Sequence, residues 1–127
     1  MKISLLSITV QDPVKVHEIY TSKLGFIFKE FDADASMAIV VSAEDTDGAA
    51  ILLEPCQGSF AESYQKSAFG ANLPIMILGV KNVEAEFEKL KAAAVEVRPE
   101  LDKPEWGLKN MFEDGCGNIL MIEEISA

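Results

Sequence analysis

A chain of 127 residues with a formal net charge of −10, from 21 acidic against 11 basic residues, has no Lys/Arg cluster that could follow a phosphate backbone, which argues against nucleic acid as a partner. Its apolar fraction of 49% is enough for one folded core, yet no unbroken apolar run is longer than that of Ala49 to Leu53, far short of the roughly 18 residues of a membrane span. Met1 and Lys2 lead into a segment holding Ser4 and Ser7 rather than an apolar leader, so a cytoplasmic protein with no membrane partner is expected.

Ile3 to Val10 alternates, with Ile3, Leu5, Ser7 and Thr9 on one face and Ser4, Leu6, Ile8 and Val10 on the other, and reads as a strand. Asp12 can cap a helix with Pro13 at its first position, and Val16, Ile19, Tyr20 and Leu24 form an apolar stripe running to Gly25. Strands follow at about Phe26 to Phe31, Met37 to Ser42 and Ala49 to Glu54, and Pro55 stops the last. The even-numbered face of the first strand is expected beneath the helices. That leaves Leu5, Ser7 and Thr9 facing whatever the sheet curls around.

Residues 56–73 read as a connector. Ser59 to Glu62 has capping-box spacing, so a short helix up to about Ala68 is expected. Phe60, Tyr64 and Phe69 on it have two readings, packing under a long connection or a flap over a pocket. The chain then repeats itself: a strand from Pro74 to Val80, a cap at Asn82, a helix with Val83, Phe87, Leu90 and Ala94 on one stripe, and strands at Val95 to Leu101, Gly107 to Glu113 and Asn118 to Glu124. Pro99, Pro104 and Gly107 place Trp106 in a loop, where it serves either as core or as pocket wall.

The repeat is explicit in two segments about seventy residues apart, Glu44-Asp45-Thr46-Asp47-Gly48 running into Ala49 to Glu54, and Glu113-Asp114-Gly115-Cys116-Gly117 running into Asn118 to Glu123. Each is an acidic turn followed by a strand, and Gly48 and Gly117 are expected at positive φ. The fold class is therefore α+β: two βαβββ modules, at about 1–55 and 74–125, from an internal duplication within one domain. His17 is the sole histidine, with no second ligand at metal spacing, and Cys56 and Cys116 make neither a C-x-x-C pair nor a disulfide framework. No glycine-rich phosphate loop is present.

The paired modules, with the closing run Trp106-Gly107, Phe112-Glu113-Asp114-Gly115-Cys116-Gly117-Asn118-Ile119-Leu120, resemble the glyoxalase, bleomycin-resistance and extradiol-dioxygenase superfamily, also called the vicinal oxygen chelate superfamily. Asp47-Gly48, Leu53-Glu54-Pro55, Tyr64-Gln65-Lys66 and Cys116-Gly117-Asn118 look like one branch of it, in which Cys116 replaces the usual Asp of the final turn. The resemblance implies curled mixed sheets, each forming half of an open barrel around a pocket, and a homodimer. It also implies four inward ligands for a divalent ion, at places that here are Leu5, Leu52, Ile75 and Met121. All four are apolar, so no metal and no cofactor is expected.

The implied function is metal-free binding or sequestration of a small, partly apolar molecule, with a wall of Leu5, Ser7, Leu52, Glu54, Ile75, Ile77, Trp106, Met121 and Glu123. An alternative is a lyase, isomerase or dioxygenase-type enzyme of the same superfamily, using an unexpected metal or Glu54 and Glu123, equivalent positions in the repeat, as an acid and base pair if both face one apolar pocket, where mutual repulsion and desolvation would raise at least one pKa. A dimeric interaction module whose pocket has filled in is a third reading.

Overall fold

The computed structural model describes residues 1–32, 34, 37–56, 58, 60–98 and 109–125. They form two compact units, Met1–Ser63 and Tyr64–Ala127.

In the first unit, β1 (Leu5–Val10) is followed by α1 (Pro13–Glu18), which Asp12 caps by accepting from the backbone of Val14 and Lys15 at 3.1 and 3.2 Å. The helix widens into a π-helical turn, Ile19–Lys23, where Leu24 N bonds to Ile19 O at 3.1 Å. The Thr21 hydroxyl bonds to His17 O at 2.9 Å, and this local competition for a helix carbonyl accompanies the widening. Gly25, at φ +82, then turns the chain into β2 (Phe26–Asp32), β3 (Met37–Ser42) and β4 (Asp45–Pro55). The sheet order is β1-β4-β3-β2, with β1 and β4 parallel and the other pairs antiparallel.

Register separates the two faces of this sheet. Leu6, Ile51, Val40 and Phe28 lie side by side, as do Ile8, Leu53, Ala38 and Phe31. This even face of β1 carries α1: Val16 and Tyr20 are fully buried, Tyr20 meets Phe26 at 5.9 Å, and His17 stacks on Phe31 at 5.3 Å and lies 5.8 Å from Phe28. The opposite face holds Leu5, Ala50 and Val41 in one row and Ser7, Leu52 and Ile39 in the next, with Thr9 beside Glu54 beyond them.

The second unit runs from α2 (Phe60–Gly70), whose first residues lie in unit one, through β5 (Met76–Val80), α3 (Val83–Ala92), β6 (Met111–Glu113) and β7 (Ile119–Glu124). Its sheet order is β5-β7-β6, with β5 and β7 parallel and β6 and β7 antiparallel, so it repeats β1-β4-β3 strand for strand. Val97 bridges Phe112 where the first unit has β2. Asn82 caps α3 through Ala85 N at 3.0 Å, repeating Asp12. The rest of the expected Val95 to Leu101 strand and the start of the Gly107 to Glu113 strand fall outside the described residues.

The repeated acidic segments do not fold alike. Gly117 is at φ +95, as expected, but Gly48 has no positive φ and lies within β4. The β3–β4 reversal occurs earlier, at Ala43 and Glu44, because Ser42 pairs with Asp45; the register then jumps to Val41 with Ala50, leaving Thr46 to Ala49 as an irregular insertion in the ladder. In the second unit Asp114 closes the turn itself. Its Oδ1 accepts from Cys116 N at 2.8 Å and Asn118 N at 3.1 Å, and its Oδ2 from Asn118 Nδ2 at 2.9 Å.

Candidate functional site

The odd face of the first sheet combines partly exposed apolar side chains with a polar pair. Leu5 is 47% exposed, Leu52 and Ile39 are half-buried, and the central Ala50 and Val41 are buried. Beside Leu52 lies Ser7, and in the next row Glu54 lies beside Thr9. Ser7 Oγ donates to Glu54 Oε1 at 2.5 Å. The parallel register explains this contact: Ser7 lies beside Leu52, and Glu54 is two residues further along β4 on the same face, so the serine reaches diagonally across the ladder.

The corresponding face of the second sheet is built differently. Ile77, Met121 and Met111 form one row, and Gly79 and Glu123 the next. Met121 is only 6% exposed, packed with Met111 and Ile119, and Phe69 of α2 covers that cluster. Phe69 thus follows the packing reading of the connector, whereas Phe60 and Tyr64 are 91% and 64% exposed and do not. Ile77 is 50% exposed, Ile75 is half-buried and Glu123 is exposed. Gly79 leaves room for Ile125, whose Cγ2 lies 2.8 Å from where a Cβ would stand.

Of the expected wall residues, the first unit therefore brings Leu5, Ser7, Leu52 and Glu54 together on one face, and the second unit places Ile75, Ile77, Met121 and Glu123 along another. Trp106 lies outside the described residues. Ile39 was missed, although the alternation of Met37 to Ser42 carried the signal, since one set of those residues had to share a face with Leu52. Both cysteines are buried and neither is in a disulfide.

The divalent ion implied by the family does not fit these residues. Leu5, Leu52 and Ile75 supply no donor, and Met121 offers a thioether that is packed against Met111 and Ile119. Among the described residues no group of three or more His, Cys, Asp or Glu is gathered to hold a metal ion. Among them, too, no helix is long and apolar enough to cross a membrane.

Paired βαβββ modules, each with a parallel first and last strand and a helix on the sheet, define the class of protein. The chain belongs to the Glyoxalase/Bleomycin resistance protein/Dioxygenase superfamily, whose family model matches residues 2–122. The uncharacterized protein YurT of Bacillus subtilis (strain 168) is 39% identical over 127 residues, covering 96% of this chain and 98% of YurT. Among solved structures, UcmS2 is similar at a TM-score of 0.74 with 19% identity and 96% of each chain covered. TnmS3, an antibiotic binding protein from Streptomyces sp. CB03234, is similar at a TM-score of 0.68 with 18% identity, covering 99% of this chain and 97% of TnmS3.

Proposed function

We propose that the protein binds or sequesters a small, partly apolar molecule, without a metal, at a site that includes the odd face of its first sheet. The observation that carries this reading is the Ser7–Glu54 pair set among partly exposed apolar side chains, an arrangement in which Leu5 and Leu52 supply contact area and two polar groups orient the ligand. The same reading extends to Ile75, Ile77, Met121 and Glu123 in the second unit, and to Trp106. The fold shared with TnmS3, an antibiotic binding protein, supports binding as the activity.

A lyase or isomerase reading through Glu54 and Glu123 has less support. The first carboxylate is hydrogen-bonded to a serine and the second is exposed on its strand. We further take the protein to be a cytoplasmic homodimer in a single domain, a point for analytical ultracentrifugation: a monomer mass at micromolar concentration sinks the dimer.

The site is tested by two-dimensional amide NMR during titration with a fragment library. Binding fragments are expected to shift Leu5, Ser7, Leu52 and Glu54. Shifts confined to residues outside the proposed wall overturn the assignment.

A further inference from the structure

The hydrogen bond between Ser7 and Glu54 narrows the chemistry of the ligand. The serine has one hydroxyl hydrogen, and it points at Glu54 Oε1. What the pair shows to a ligand is therefore acceptors: the lone pairs of Ser7 Oγ, and Glu54 Oε2, which has no hydrogen-bond partner among the described residues. Among those residues Glu54 is also in no ion pair; its register partner on β1 is Thr9, which carries one hydroxyl, and Leu52 and Leu5 on the same face can donate nothing.

A half-buried carboxylate on an apolar face, with its serine already turned toward it, is complemented by a group that carries several donors and a positive charge. We infer that the Ser7–Glu54 pair is the subsite for a protonated amine carried on an apolar body, the ammonium contacting Glu54 Oε2 and Ser7 Oγ and the body lying along Leu5, Leu52 and Ile39. This inference rests on the proposed binding face and names the ligand class for it. A carboxylate or phosphate meets the acceptor side of the Ser7–Glu54 pair and is repelled by Glu54. A neutral hydroxyl forms one hydrogen bond and gains nothing from the charge. The net charge of −10 attracts the same cationic class from a distance, an effect that salt screens.

The test is a matched pair of probes, 4-phenylbutylamine and 4-phenylbutanol, titrated at neutral pH and followed by the amide signals of Ser7, Leu52 and Glu54. The amine is expected to bind about tenfold or more tightly than the alcohol, and high salt should weaken the amine alone. Glu54→Gln should remove the preference, and Ser7→Ala should reduce it. Equal binding of both probes at these residues overturns the ammonium inference and leaves the binding face standing. If neither probe shifts these residues, the face and the inference fall together. The comparison on the native chain decides the matter even if a variant fails to fold.

Discussion

Gln65 Nε2 donates to Asn118 Oδ1 at 3.1 Å and to Cys116 O at 3.2 Å, so both hydrogens of a buried amide on α2 hold the turn that precedes β7. This ties the connector helix to the second unit and keeps Phe69, one helical turn further on, over Met111, Ile119 and Met121. Gln65→Leu removes both donors from a buried polar cluster and is expected to cost ~1–3 kcal/mol. Urea denaturation of the two proteins checks it; an unchanged midpoint contradicts the role assigned to Gln65.

Asp114 and Asp45 occupy the same place in the repeat but not in the structure. Asp114 is buried and accepts three hydrogen bonds within its turn, while Asp45 is exposed. Asp114→Ala should therefore cost about 3 kcal/mol or more, since it leaves two backbone N–H groups without their carboxylate, and Asp45→Ala should stay within about 0.5 kcal/mol. Equal effects would mean that the two turns fold alike.

The glycines of the same turns make a second contrast. Gly117→Ala places a Cβ at φ +95 and is expected to cost ~1–2 kcal/mol. At Gly48 a new Cβ would stand 2.3 Å from Asp45 Oδ2 and 2.7 Å from its Cγ, an exposed side chain that can swing into solvent, and 3.2 Å from Asp45 O, where the backbone must give slightly, so Gly48→Ala should cost about 1 kcal/mol or less. Thermal unfolding of both variants at one pH reads the difference.

Arg98 gathers three partners in the second unit. Its Nη1 lies 3.1 Å from Glu113 Oε2, its Nη2 bonds Asn72 Oδ1, and its guanidinium carbon sits 5.2 Å from the Phe69 ring centroid. A lysine has the charge but not the planar fork, so Arg98→Lys should recover little of the ~1–2 kcal/mol that Arg98→Ala loses. Chemical denaturation of the pair distinguishes this from a simple charge effect, under which the lysine variant would match the native protein.

Metal content gives a prediction independent of stability. Protein purified without chelator is expected to hold no stoichiometric zinc, nickel, manganese or iron, and chelator should leave both the unfolding midpoint and the NMR titration unchanged. Elemental analysis near one equivalent per chain, lost on changing Glu54 or Glu123 to Ala, would restore a metalloenzyme reading.

The sequence by itself determined what local chemistry controls. Asp12 and Asn82 are legible as caps because their side chains bond two or three residues ahead, and the strand faces are legible because alternation is a property of each strand alone. The lack of donor atoms at Leu5, Leu52 and Ile75 needed only residue identity. Tertiary structure decided the rest. Ser7 and Glu54 are 47 residues apart, and only the parallel register of β1 on β4 places them within a hydrogen bond. Met121 is covered because α2 carries Phe69 onto its face, and nothing in the pattern of β7 shows this. The repeat predicted one turn conformation twice; pairing of Ser42 with Asp45 reversed the first chain early and left Gly48 in a strand, because ladder bonds between strands set where a hairpin turns and a shared motif does not.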